Sequence, residues 1–145
     1  MSSWLDTLRR YVLFVAAANL RWEIFHLPLY PIWEKGTAAE IAFAVLHCTG
    51  GDVLIALSCL MAALTLFGRA SWPAEGAGSV TAVAVTLGAT YTVYSEWWNV
   101  AVRGNWAYSD LMPVIPPLGT GLSPLLQWLV IPALGLAWAR RQRRS

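Results

Sequence analysis

Residues 11–29 read YVLFVAAANLRWEIFHLPL, a run long and apolar enough to cross a bilayer that nevertheless contains Arg21, Glu23 and His26. Placing an ionised side chain at membrane depth costs about 2.5–3.5 kcal/mol on insertion scales, so such residues face a bundle interior and mark a functional site. Two further apolar runs repeat the pattern, one with His47 and Asp52, the other with Glu96 and Arg103. The decision this stretch forces is between a membrane bundle with a polar interior and a soluble fold.

Composition decides for the membrane. Of 145 residues, 57% are hydrophobic and 12% charged, where a soluble domain carries about 25% charged residues. Four long apolar runs in so short a chain predict an all-α fold, a four-transmembrane-helix bundle forming a single integral membrane domain over residues 1–145. The spans are expected at about 8–29, 38–67, 79–103 and 123–139. Nine Trp fit a chain whose rings sit at membrane interfaces. No basic stripe interleaved with aromatics is present, so no nucleic-acid partner is expected. The apolar start lacks a small-residue cleavage site and reads as a retained span. Cys48 and Cys59 fall on one predicted helix, about 16 Å apart by helical rise, which is beyond the roughly 7 Å a disulfide bridges.

The turn signals support these bounds. Pro28 and Pro31 end the first span. Thr37-Ala-Ala-Glu40 is a capping box that opens the second, and Gly50-Gly51 is expected to loosen or bend that helix. The stretch GNWAYSDLMPVIPPLGTG (104–121) is too rich in Pro and Gly for regular helix. Ser123 is expected to cap the fourth span, with Pro124 at its first helical position. Arg9, Arg10, Arg69, Arg140, Arg141, Arg143 and Arg144 fall on one side, so the positive-inside rule places both termini in the cytoplasm.

The polar residues then converge. Asn19, Glu23 and His26 share one face of the first helix, and Thr92, Glu96, Asn99 and Arg103 one face of the third. Cys48 and Asp52 share a face of the second with His47 beside it, and Ser123 and Gln127 share a face of the fourth. All lie between mid-membrane and the outer interface, which predicts a polar cavity open to the periplasm and lidded by residues 105–120. Glu23, Asp52, Glu96 and His26 are the expected acid–base groups, because two carboxyls in different surroundings can divide the roles of acid and base. Asn19, His47, Asn99, Arg103, Trp106, Tyr108 and Gln127 are the expected binding residues, and Arg21 or Arg103 is expected to pair with a carboxyl. The bland alternative for Asn19, Thr92, Asn99, Ser123 and Gln127 is an interhelical hydrogen bond of about 0.6 kcal/mol each. Glu23 and His26 form an E-x-x-H pair, so a metal site of Glu23, His26 and His47 is the alternative chemistry; di-metal bundles use two such pairs. No phosphate loop, activated Cys or G-x-S-x-G serine is present, and no cofactor is expected.

The motifs W-E-x-x-x-x-P-L-Y (Trp22 to Tyr30), G-D (Gly51-Asp52), S-E-W (Ser95 to Trp97), R-G-x-W-x-Y (Arg103 to Tyr108), M-P-x-x-P (Met112 to Pro116) and G-x-G-L-S-P-L-L-Q (Gly119 to Gln127) resemble those of a group of small four-span bacterial membrane proteins. The resemblance covers most of the chain. It implies a multi-pass protein of the bacterial inner membrane and implies no reaction. A fainter resemblance is to the emopamil-binding sterol-isomerase family, also built on four spans. That family pairs a His with a nearby acid, as His47 and Asp52 would be, and has a run similar to Trp98, Gly104 and Tyr108. Its acid follows the His by four residues, where this chain has Gly51. The expected function is acid–base chemistry on, or binding of, a lipophilic small molecule, with the lipid bilayer as surroundings. The alternatives are metal or proton handling, and a structural subunit that meets further copies of itself or a membrane complex.

Overall fold

The computed structural model describes residues 3–141; Arg143 and Arg144, which enter the charge-bias argument, lie outside the described residues. The protein is all-α. Four long helices, α1 (Ser3–Phe25), α3 (Ala38–Phe67), α4 (Ala77–Glu96) and α5 (Leu122–Arg141), run in alternating directions, with a one-turn helix α2 (Ile32–Lys35) between the first two. The helices α1, α3, α4 and α5 close a ring in which each packs against two others: α1 on α3, α3 on α4, α4 on α5 and α5 on α1. Two of them, α3 and α5, are long and apolar enough to cross a membrane. The other two fall short for visible reasons. Helix α1 carries Arg9, Arg10, Arg21 and Glu23, and α4 is largely Ala, Gly, Thr and Ser.

The centre of the ring is narrow, because small residues line it. Ala56, Ala63, Ala77, Ala84 and Ala139 are buried around Tyr11, Val15, Leu60, Val80, Trp128 and Leu136. Small side chains let helix backbones approach, which is how helices associate where burial supplies little drive. At Gly88 the approach is closest: a Cβ there would stand 2.5 Å from Cε3 of Trp128. Gly135 gives the same room to Phe14 and Tyr11. The long apolar side chains point the other way. Leu13, Phe43, Leu46, Leu54, Met61 and Leu66 are all exposed, and only 17% of the apolar window of α3 is buried within the protein.

Several boundaries differ from the expectation. Helix α1 stops at Phe25 and gives way to a 3-10 turn, Leu27–Leu29, since Pro28 has no N–H and collides with the carbonyl four residues back. Thr37 and Glu40 do form the reciprocal capping box. Gly50 and Gly51 leave α3 unbroken: it runs straight through as a 30-residue helix. The third segment is helical only to Glu96, after which Trp97–Val102 widens into a π-helical turn, a form that recurs at functional sites. The chain leaves it at Gly104, whose φ of 62° suits a residue without Cβ. The Pro-rich connection contains a two-residue antiparallel ribbon, β1 (Val114–Ile115) with β2 (Thr120–Gly121). Ser123 is not the cap of α5. The helix already begins at Leu122, behind β2, and this frees the Ser123 hydroxyl for other partners. Cys48 and Cys59 are free.

Candidate functional site

The polar network begins with Gln127 on α5. Its side-chain N–H2 lies 2.8 Å from Asn19 Oδ1, 3.1 Å from Glu23 Oε1 and 3.0 Å from Asp52 Oδ2. One amide thus draws together acceptors from α1 and α3. Asn19 and Gln127 are only 2% and 3% exposed, and polar groups so buried must find partners within the protein. Gln127 thus holds the Glu23 and Asp52 carboxyls side by side, and Glu23 is bonded through its other oxygen to His26.

From Glu23 the network turns toward the loop end of the bundle. His26 Nε2 lies 3.1 Å from Glu23 Oε2, and His26 Nδ1 lies 3.0 Å from Ser123 Oγ. The Trp22 indole N–H donates to the same Oγ at 3.1 Å. An indole nitrogen can only donate, so Ser123 Oγ accepts from Trp22, and its second lone pair and its proton are both left for His26 Nδ1. The Glu23 carboxylate accepts from Nε2, and a neutral imidazole with its hydrogen there has a bare Nδ1 that accepts from the Ser123 hydroxyl. In that tautomer the direction of the chain is Ser123 to His26 to Glu23.

Glu96 occupies a neighbouring site. It accepts from the Tyr108 hydroxyl, brought in by the connection after α4. Tyr108 in turn accepts from the Gly121 N–H at 2.9 Å, which ties that connection to the start of α5. Tyr30 stands between the two sites, its ring centroid 5.1 Å from His26 and 5.9 Å from Tyr108. Burial first, and the Glu96 carboxyl second, push the Tyr30 and Tyr108 phenols above their ordinary range, so both remain protonated donors at neutral pH.

A groove of about 710 Å³ runs along the outside of α1 and α5 and meets this network. Phe14, Ala17, Ala18, Val130, Ile131 and Leu134 form its apolar walls, and His26, Ser123 and Arg21 stand toward one end.

The expected site residues thus divide. Asn19, Glu23, His26, Asp52 and Gln127 are drawn into one network. Glu96 and Tyr108 form the adjoining one, and Trp106 is exposed. Asn99 bonds to Ser95 and to Asn105, holding the exit from the π-turn. Arg103 is exposed and lies over the Trp98 ring at 5.9 Å. His47 points away from the bundle and stacks on Phe43 at 5.3 Å, so it does not join Glu23 and His26. Among the described residues no group of three or more His, Cys, Asp and Glu side chains has a metal-holding arrangement. The expected ion pair between an Arg and a carboxyl of the cluster is also absent there. The salt bridges among the described residues are His26–Glu23 and Arg69–Glu75. His26 and Gln127 take the place the arginines were expected to fill, and Arg21 is left exposed on the groove. Ser123, expected only as a helix cap or an interhelical hydrogen bond, stands between Trp22 and His26. The only local signal was its position after Gly119-Thr-Gly-Leu, which reads equally well as a cap. In comparisons with known proteins, no family model, no curated protein and no solved structure matches the chain.

Proposed function

We propose that this is a multi-pass protein of a bacterial inner membrane, a four-transmembrane bundle with both termini in the cytoplasm, that binds a lipophilic small molecule and acts on it by acid–base chemistry. The observation that carries the reading is the groove between α1 and α5: its walls are apolar and it runs to His26 and Ser123, which are wired to a buried carboxyl pair. Apolar pockets with a few convergent polar groups are the usual form of a small-molecule site. The exposed apolar residues along α3 support lipid as the surroundings. The motif resemblance to small four-span bacterial membrane proteins points the same way. The groove lies on the outer side of α1 and α5, so a hydrophobic molecule enters it from the bilayer without crossing water.

The test is binding in reconstituted vesicles. A phosphatidylglycerol spin-labelled in its acyl chain should show a motionally restricted fraction, and Ala17→Trp should reduce it. Ala17 is exposed on the groove wall, so the larger side chain blocks the groove without entering the core. A restricted fraction that Ala17→Trp leaves unchanged would count against the groove as the binding site.

A further inference from the structure

We infer that Ser123 is a nucleophile, activated by His26 and Glu23, and that the protein cleaves or transfers the acyl group of an anionic ester lipid whose chain lies in the α1–α5 groove. The inference rests on the groove being a binding site, and adds the reaction and the substrate class.

Three observations meet at Ser123. The first is the hydrogen-bond direction derived above, with the hydroxyl proton aimed at a basic nitrogen and the opposite ring nitrogen held by a carboxylate. This is the logic of a serine–histidine–acid triad, recognised by geometry and role and not by sequence order. The ring is turned over, with Nδ1 toward the serine, and either nitrogen can be the base once the other is held. The second is the placement of Ser123 in the first turn of α5, directly after β2. Of the N–H groups at this helix start, Gly121 donates to Tyr108 and Leu122 to Pro113, and Pro124 has none. The Trp22 N–H, 3.1 Å from Ser123 Oγ, is the donor beside the nucleophile for an oxyanion formed there. The third is the groove. From Phe14 to Phe25 it follows twelve residues of α1, about 18 Å by helical rise, close to the roughly 15 Å of one bilayer leaflet's hydrocarbon. An acyl chain lying there brings its ester, at the hydrocarbon boundary, to Ser123.

Arg21 names the headgroup. It is exposed, lines the groove, and has no acidic partner among the described residues. Arg21 lies about 7.5 Å deeper than His26 by helical rise, and its long side chain, snorkelling toward the interface, reaches a phosphate, which a guanidinium binds in two-pronged fashion.

The chemistry balances without a cofactor. Ser123 Oγ attacks the ester carbonyl carbon while its proton passes to His26 Nδ1. The tetrahedral intermediate collapses, the bond to the alkoxy oxygen breaks, and His26 returns the proton to the leaving alcohol. The acyl–Ser123 ester then reacts with water, or with the hydroxyl of an acceptor molecule. His26 takes that proton and gives it back to Ser123 Oγ. Glu23 balances the imidazolium charge at both stages.

The test uses the full-length protein in detergent micelles and a fluorophosphonate bearing a long alkyl chain. Peptide mass spectrometry should find the adduct on Ser123, Ser123→Ala should abolish it, and His26→Ala and Glu23→Gln should slow it by more than about 100-fold. Ala17→Trp should slow the long-chain probe and spare a short-chain one. In vesicle assays, fatty-acid release from phosphatidylglycerol should fall in Arg21→Ala, while release from diacylglycerol, which has no phosphate, should not. Wild-type protein that restricts the spin-labelled lipid yet forms no Ser123 adduct would overturn the nucleophile and leave the binding site standing. An adduct forming equally fast without His26 would overturn the triad. A Ser123 adduct with no restricted lipid would overturn the groove instead, and equal losses on both lipids in Arg21→Ala would overturn the phosphate contact.

Discussion

The carboxyl pair makes an asymmetric prediction. Asp52→Asn should be mild, because the Asn oxygen still accepts from Gln127, 3.0 Å away in the present arrangement; the expected change is under about 1 kcal/mol. Glu23→Gln should behave differently. Its two oxygens receive from different donors, Oε1 from Gln127 and Oε2 from His26. Turned one way, the new N–H2 meets the Gln127 donor; turned the other, it faces His26, whose hydrogen must then move to Nδ1. Either way a charge-assisted bond is lost, about 1.5–3 kcal/mol. The assay is reversible unfolding by SDS titration in dodecyl maltoside micelles, followed by Trp fluorescence. Equal losses in the two variants, or a larger one in Asp52→Asn, would refute Glu23 as the carboxyl that holds His26.

Three further outcomes are expected. Gly88→Ala should destabilise the bundle by about 1–3 kcal/mol through overpacking against Trp128, and Trp128→Leu in the same chain should relieve much of that loss in a double-mutant cycle. Tyr108→Phe removes the donor to Glu96 and the acceptor of the Gly121 N–H; it should cost about 1–3 kcal/mol and speed proteolysis of the connection between α4 and α5. Reporter fusions after Glu34 and Asp110 should read periplasm, and those after Arg69 and at the C-terminus cytoplasm; a cytoplasmic signal after Asp110 would reverse the orientation.

Helix periodicity carried much of what could be read locally. The apolar runs and the Thr37–Glu40 box placed α3 and α5 to within about two residues, because capping acts within one or two turns of chain, whereas α1 lies four to five residues earlier than expected and α4 ends seven residues sooner. The same periodicity grouped Asn19, Glu23 and His26 on one face. It could not say which residues of the other helices meet that face. His26 and Ser123 are separated by 97 positions and Asp52 and Gln127 by 75, and such pairings depend on how far small residues such as Gly88 and Gly135 let the helices approach. The arginines were misjudged for the same reason. Charge alone favours an Arg beside a buried carboxyl, but the room in the ring is narrow and is filled by the shorter Gln127 and His26. Ser123 shows the limit most directly. Its local signal, a small polar residue before Pro124 and an apolar run, is that of a helix cap. Only the packing of α5 on α1, with the helix starting one residue earlier, leaves its hydroxyl between Trp22 and His26.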